Sequence, residues 1–345
     1  MRDGGPGIKP VLAAQPPGAP GGGESASAWT PPAGAGEALT TGQIAWRNFR
    51  RHKLAVASGL VLIAMLIAVC LAGQLSRYGY QQLSLSAELK GPSAKHWLGT
   101  DNLGRDEFAR LLYGGRVSLL VGLAVSLSAG VIGTIIGALA GYIGGFVDNF
   151  LMRLTDLFLT IPLLVALIVA SALLGGGVLD IVIILTMFFW MYTARIVRGV
   201  FLTMKEQEFV EAARALATSR PRIIFVQMLP NATGPILVSI TLGVANAILT
   251  ESALSFLGFG IQPPVPSWGN MLNDARDYFQ VAPWMLFAPG LAILIAVLAV
   301  NFLGDGLRDA LDPHARRPVR RNRTGHDSRG GPGASPPAVA EEDPL

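Results

Sequence analysis

The sequence has little charge and a single cysteine. Asp, Glu, Lys and Arg make up only 14% of its 345 residues, whereas soluble domains carry about 25%, so a soluble globular enzyme is not expected. Cys70 is the one cysteine, which excludes an intramolecular disulfide framework and a zinc cluster built from cysteines. The modest formal net charge of +4 disfavours nucleic acid as a partner.

Two kinds of chemical site are also missing. A P-loop needs Gly-Lys followed by Ser or Thr to hold phosphates, and no Gly-Lys dipeptide occurs. We therefore predict that this chain hydrolyses no ATP and has neither catalytic residues nor a bound cofactor. His96 lies near Asp101 and Asp106 in the sequence but has no second histidine at helical spacing, so no metal site is expected.

Apolar residues are abundant and gather in long runs. They make up 51% of the chain, and the mean hydropathy is +0.47. An α-helix needs about 20 mostly apolar residues to cross a bilayer, where only helices and closed barrels satisfy their backbone groups. The sequence therefore predicts an all-α integral membrane protein with six transmembrane helices. The predicted spans are 54–73, 117–143, 157–174, 178–194, 236–258 and 284–303.

The ends of the chain differ from its middle. Residues 1–42 and 314–345 are rich in Gly and Pro and are predicted to be disordered cytoplasmic tails, flanking a six-helix transmembrane domain at 43–313. Lys and Arg concentrate in cytoplasmic loops, and an even number of spans returns the chain to its starting side. Both termini are therefore predicted to be cytoplasmic. The basic residues that set this orientation are Arg47, Arg50, Arg51, Lys53, Arg195, Arg198, Lys205, Arg214, Arg220, Arg222 and Arg308.

The second apolar run carries Gly133, Gly137 and Gly141 four residues apart, and therefore on one helical face. This groove of small residues predicts close packing against another helix; a gating hinge is the alternative. Pro162 and Pro289 each remove a backbone hydrogen bond, which predicts local kinks in the third and sixth runs.

Glu251 is an acidic residue inside an apolar run. Because its charge is costly in lipid, we expect it either to pair with an arginine or backbone amides near the outer face, or to act in a transport path. The runs otherwise lack a chain of acids and histidines, which argues against proton coupling. In the outer segment 74–116, a short helix is predicted at 107–113, which either faces a partner protein or shields the pathway.

Residues 205–231, after the fourth run, begin with helical periodicity. Their pattern predicts an amphipathic helix, a sharp turn and a second helix outside the membrane. Thr218 and Ser219 end the first helix or cap the second, Pro221 suits a first helical turn, and Pro230 is predicted to stop the apolar stretch that follows. The predicted apolar face consists of Phe201, Met204, Phe209, Ala212, Ala213 and Leu216.

Small and charged residues on this helix indicate a protein contact. Ala212 and Ala213 allow a partner surface to approach closely, while Glu211 and Arg214 can make polar contacts at its rim. A solvated helix lying on lipid headgroups is the alternative interpretation.

Glu211-Ala212-Ala213, followed at the right distance by Leu229-Pro230, resembles the EAA loop of ABC importer permeases. Ala217 stands where the family usually has Gly, and Gln227 where it has Ile. Further segments resemble the second permease subunit of the dipeptide, oligopeptide and nickel importers. They are HWLGTDNLGRD from His96, LSFLG from Leu254, QPP from Gln262, PSWG from Pro266, NFLGD from Asn301 and LDP from Leu311.

The resemblance implies a type I ABC importer permease fold in the inner (plasma) membrane of a prokaryote. It implies three kinds of partner: a homologous second permease subunit, two cytoplasmic ATPase subunits that bind ATP and Mg, and an extracytoplasmic solute-binding protein. Docking to the ATPases is expected within the loop 195–231, at Glu211, Ala212, Ala213, Arg214, Ala217, Leu229 and Pro230. Di- or oligopeptides are the first expectation for the substrate, with nickel or another small solute as the alternative. An ion-coupled secondary transporter and an exporter or scaffold protein are the rival classes.

Overall fold

The computed structural model describes residues 41–311. The predicted tail 314–345 lies outside the described residues, as does the predicted tail 1–42 except for its last two positions. Within the described part every regular element is helical, apart from one isolated β-bridge between Thr100 and Asp106. The helices are α1 (Thr41–Arg51), α2 (Lys53–Cys70), α3 (Ala72–Leu75), α4 (Glu107–Ile143), α5 (Gly145–Thr160), α6 (Leu163–Leu174), α7 (Val178–Met204), α8 (Glu208–Ala215), α9 (Arg220–Arg222), α10 (Leu229–Phe256), α11 (Trp268–Ala275) and α12 (Trp284–Leu311).

Five of the predicted spans correspond to single long helices. They lie in α2, α4, α7, α10 and α12, each apolar and long enough to cross a bilayer. Most of these helices extend beyond the predicted runs because their ends carry polar residues that hydropathy alone does not include. Pro289 lies inside α12, which continues through it.

The third predicted span is broken. At Ile161 and Pro162 the chain turns by 87° between α5 and α6, far more than the local kink expected from the proline. The twelve residues of α6 reach only about 18 Å, so α6 alone is shorter than the hydrocarbon core of about 30 Å. Two ion pairs attach α5 to α7: Asp148 with Arg198 at 2.5 Å and Asp156 with Arg195 at 2.6 Å.

Helix α4 is the centre of the bundle. A methyl group added at Gly133 would lie 2.5 Å from the carbonyl oxygen of Trp190, and one at Gly137 would lie 2.4 Å from that of Ala194. At Gly141 the added methyl would meet Phe201 at 2.6 Å. The predicted glycine groove is therefore confirmed, and α7 fills it.

The predicted short helix at 107–113 is wrong as a separate element. Residues 107–113 form the first two turns of α4, capped by Asp106, whose carboxylate accepts the amide hydrogen of Ala109 at 2.8 Å. Arg110 in these turns is paired with Asp101 and Asp274, and the helix continues without a break into the second predicted span.

A buried ion network fastens this end of α4 to α11. Arg110 is 4% exposed, and its guanidinium bonds Asp101 at 2.6 Å and Asp274 at 2.8 Å. Arg105 also bonds Asp101, at 2.5 Å. His96, which the sequence places near two aspartates, bonds Asp106 at 2.8 Å. The residues of the HWLGTDNLGRD segment therefore serve mainly to fix the outer segment on the bundle.

Glu251 is fully buried where α4 meets α10. Its carboxylate accepts hydrogen bonds from the hydroxyls of Ser255 at 2.7 Å and Ser118 at 3.1 Å. Ser118 also accepts the backbone amide hydrogen of Trp268, at 3.1 Å, and so includes α11 in the cluster. The expectation of an arginine or backbone-amide partner was wrong, because the hydroxyls of Ser255 on α10 and Ser118 on α4 bind the carboxylate instead.

Candidate functional site

The segment between α7 and α10 contains the residues predicted to dock a partner. Helix α7 runs to Met204, so residues 195–204 of the predicted loop 195–231 are its last turns. Gln207 is the N-cap of α8, and after α8 the chain turns sharply before Ser219 begins α9. The predicted order of helix, turn and second helix is confirmed, with Pro221 in the first turn of the second helix.

Two side chains fix α8 to the bundle. Val210 is completely buried and Ala213 is 4% exposed, and both lie in one apolar cluster with Phe201 of α7 and with Ile223 and Met228 beyond the turn. Sequence reasoning missed Val210, although its position three residues before Ala213 was a signal for it. The cluster also contains Ala232 and Ile236 of α10. Because α7 before α8 and α10 after it both contribute side chains, the cluster attaches α8 to both helices.

The opposite side of α8 is exposed and partly apolar. The predicted apolar face was right for Phe201, Met204 and Ala213, which pack in this cluster. It was wrong for Phe209, Ala212 and Leu216, which are exposed. Leu216 is 80% exposed and Phe209 is 39% exposed, and Glu211 and Ala212 are exposed beside them. We call these four residues the docking face. An exposed apolar surface with a charged rim is typical of a protein contact.

Ala217 adopts a left-handed conformation with φ of 52°. Around it, the amide of Thr218 donates to the carbonyl oxygen of Ala213, and the amide of Ala217 donates to that of Arg214. This pair of bonds is a Schellman motif, which usually has glycine at the left-handed position. The departure from glycine at Ala217 therefore falls where the backbone favours glycine most.

Arg214 does not point freely into solvent. Its guanidinium lies 5.5 Å from the ring centroid of Tyr142, at the end of α4 that is remote from the ion network. A cation over an aromatic face is attracted by the ring quadrupole. Arg214 thus links α8 to α4, a contact that the sequence did not predict.

The last two predicted docking residues begin α10. Leu229 is partly buried and Pro230 is exposed in the first turn of α10. The predicted stop at Pro230 was wrong, because the six residues before Leu229 form a π-helix that leads directly into α10. This wider turn contains Gln227, whose side-chain oxygen is buried without a hydrogen-bond partner among the described residues. The side-chain amide of Asn231 donates a hydrogen bond to the backbone carbonyl oxygen of Gln227 at 2.7 Å.

The glutamate and small residues of the loop are therefore brought together on α8, whereas Leu229 and Pro230 lie beyond the turn. Glu211, Ala212, Arg214, Ala217 and Pro230 are exposed, and Ala213 is buried. No group of three or more His, Cys, Asp or Glu side chains is arranged to hold a metal ion within residues 41–311. The exposed apolar and charged side chains of α8 are suited to a protein contact.

Two family descriptions match the chain. The binding-protein-dependent transport system inner membrane component matches residues 133–317. The N-terminal transmembrane domain of oligopeptide transport permease C matches residues 40–92. The first match covers the helices on both sides of the docking face as well as the docking face itself.

Full-length relatives agree with these matches. The dipeptide transport system permease protein DppC of Alkalihalophilus pseudofirmus is 39% identical over 283 residues, covering 82% of this chain and 93% of the relative. The oligopeptide transport system permease protein OppC of Bacillus subtilis is 39% identical and covers 81% of this chain and 92% of its own. The glutathione transport system permease protein GsiD of Salmonella typhimurium is 41% identical, with coverages of 78% and 89%.

A solved structure shares the fold. A chain from the inward-facing MetNI methionine ABC transporter superposes with a TM-score of 0.51 at 18% identity, covering 59% of this chain and 96% of that chain. The molecule is thus a multi-pass membrane protein with the permease fold of an ABC importer. The chain belongs to the family of binding-protein-dependent transport system inner membrane components, whose members are permease subunits.

Proposed function

We propose that this chain is one of two permease subunits of an ATP-driven importer of di- or oligopeptides. The relatives that are named for dipeptide, oligopeptide and glutathione transport support a peptide substrate, since each aligns over most of both chains. Two ATPase subunits would bind ATP and Mg and hydrolyse the ATP, while this chain carries no catalytic group. A solute-binding protein on the outer side would deliver the peptide to the pair of permeases.

The observation that carries the coupling proposal is the two-sided character of α8. Its inner side is locked by Val210 and Ala213, whereas Leu216 on its outer side is 80% exposed. An ATPase groove that takes up the docking face would bury this apolar surface and contact Glu211 at the rim. Closure of the ATPases would then displace α8 together with α7 and α10, which share its apolar cluster, and switch the bundle between two packings.

This role sets the orientation. The docking face must lie on the cytoplasmic side, where the ATPases are, so both termini would also be cytoplasmic. The basic residues that flank α2, α9 and α12 support the same orientation.

Substitutions on the docking face test the coupling proposal. Glu211→Lys and Ala212→Trp should abolish ATP-dependent dipeptide uptake into proteoliposomes that contain the complete complex, while the ATPases retain basal hydrolysis. Glu206→Lys provides the matched control, because Glu206 is an exposed acid outside α8. Normal uptake by both docking-face variants would contradict docking at this surface.

A further inference from the structure

A concave surface runs along α7 and α10 on the side of the bundle where polar residues remain exposed. Its upper part encloses about 280 Å³ and its lower part about 410 Å³. Tyr192 of α7 and Ser239 of α10 line both parts, so the two form one groove. Gly234, in the first turns of α10, lines the lower part, so the groove extends from mid-span toward the end of the bundle that carries the docking face.

The back of the groove is a fixed seam between the two helices. The hydroxyls of Thr193 and Ser239 are buried and lie 2.9 Å apart in a hydrogen bond that joins α7 to α10. From Ser239, one face of α10 continues through Gly243, Asn246 and Thr250, at steps of four, three and four residues. All of these residues line the upper part of the groove.

Two side chains on the groove cannot face lipid favourably. Tyr192 is 64% exposed near the middle of α7, and Asn246 is exposed in the second half of α10. Within the part of the chain that the structure describes, neither the Tyr192 hydroxyl nor the Asn246 carboxamide has a hydrogen-bond partner. Moving an unpaired amide or hydroxyl from water into hydrocarbon costs about 4–8 kcal/mol, so this face requires water or a polar partner.

The exposed face of α2 shows what a lipid-facing surface of the same protein looks like. Apart from Lys53 at its first position, its large exposed side chains are aliphatic: Leu54, Leu60, Val61, Ile63, Leu66 and Ile67. The contrast separates the polar groove on α7 and α10 from the outer surface of the bundle.

The groove is polar without being charged. Among residues 41–311, its upper part is lined by hydroxyls, one carboxamide and apolar side chains, with no Asp, Glu, Lys or Arg. Arg308 of α12 contributes the one charge among the residues that line the lower part. A neutral lining that donates and accepts hydrogen bonds matches the main-chain amide groups shared by all peptides and does not select the charge of their side chains.

We propose that Tyr192 and Asn246 line the substrate pathway and hydrogen-bond the main chain of a passing peptide. The peptide as substrate rests on the proposed function, whereas the position of the pathway rests on the groove. Arg308 stands at the cytoplasmic end of this pathway, where it can attract the terminal carboxylate that every unmodified peptide carries.

Cysteine labelling of the assembled complex tests the proposal. The native cysteine is first removed by Cys70→Ala, and Asn246→Cys, Tyr192→Cys or Ile63→Cys is then introduced. In nanodiscs, a negatively charged methanethiosulfonate reagent should label positions 246 and 192, because thiolate formation requires water, and should not label position 63 on the lipid face of α2. In proteoliposomes, the same modification at 246 or 192 should block dipeptide uptake.

The outcomes distinguish the two proposals. If the unmodified complex takes up dipeptide but neither 246 nor 192 is labelled, the groove is covered by the partner subunit and the pathway inference is wrong. If both positions are labelled but the unmodified complex takes up no peptide, the pathway stands and the peptide assignment fails. Thr250→Cys lines the same upper part and replaces Asn246→Cys if that variant does not assemble.

Discussion

The guanidinium of Arg214 on α8 lies over the ring of Tyr142 on α4, 5.5 Å from its centroid. The two residues are 72 positions apart in the sequence (214 minus 142). Their contact attaches α8 to α4, the central helix of the bundle, in addition to the apolar cluster that attaches α8 to α7 and α10. A movement of α8 should therefore displace the three membrane helices that it contacts, α4, α7 and α10.

Removing the ring should loosen α8. A cation–π contact at an exposed site contributes about 0.5–1 kcal/mol, so Tyr142→Leu should speed amide exchange at residues 208–215, measured by mass spectrometry on the complex. Tyr142→Phe keeps the aromatic face and should exchange like the wild type. Arg214→Gln removes the cation and leaves the apolar cluster, which includes Tyr142, intact, so it should speed exchange at the same residues; wild-type exchange rates in Arg214→Gln would argue against the contact.

Ala217→Gly should stabilise the turn after α8. An L-residue in the left-handed region costs about 1–2 kcal/mol, and glycine removes this cost. Because glycine also gives the unfolded chain more conformational freedom, the net stabilisation is at most about 1 kcal/mol. Thermal unfolding of the complex in mild detergent, followed by the solubility of this chain, measures the shift. Ala215→Gly, inside α8, should instead destabilise by a similar amount, and equal shifts in both variants would contradict a left-handed strain at position 217.

Gly137→Ala should destabilise the bundle. The added methyl group would lie 2.4 Å from the carbonyl oxygen of Ala194, so α4 and α7 must move apart, at a cost of about 1–3 kcal/mol. Gly199→Ala adds the same methyl group on α7, where, among the described residues, no atom outside the glycine's own stretch of helix lies within 4 Å, and should be neutral or slightly stabilising. The thermal stability in detergent should therefore fall for Gly137→Ala and stay equal or rise for Gly199→Ala; a rise in both variants would mean that helix propensity, not packing, dominates.

Arg110→Met should be the most destabilising of the substitutions considered. It leaves the buried carboxylate of Asp101 with one arginine fewer and removes the closest cation from Asp274, and loss of one partner from a buried ion pair costs about 3–5 kcal/mol. Arg77→Met is the control, since Arg77 is exposed and its guanidinium contacts one carbonyl oxygen and one aromatic ring among the described residues. Similar stabilities for the two variants, measured by the same thermal assay, would show that the network contributes little.

The spans and the glycine groove could be predicted because they depend on residues close together in sequence. Hydropathy identifies α2, α4, α7, α10 and α12, and four-residue spacing places Gly133, Gly137 and Gly141 on one face. The direction of α8 was harder, because alanine suits a buried face and an exposed one equally well. Only the neighbouring valine, which is larger, distinguishes the inner side from the outer.

The remaining errors involve partners that are distant in sequence. Arg110 pairs with Asp274, which is 164 positions away in the sequence, and no local sequence pattern predicts this ion pair. The 87° turn at Pro162 exceeds a proline kink because α5 is fixed separately by its ion pairs to α7. The bond between Glu251 and Ser118 could not be predicted from the sequence either, since Ser118 lies on another helix.

The length of α4 has a mechanical consequence. Its 37 residues extend about 55 Å without interruption, with Arg110 of the ion network near one end and Tyr142, which contacts Arg214 of α8, at the other. Because both ends belong to one continuous helix, a tilt of α4 imposed at one side of the membrane also moves its end at the opposite side. In the proposed importer, α4 would therefore transmit a displacement caused by the binding protein outside or by closure of the ATPases inside, so that each event would be sensed on the opposite side.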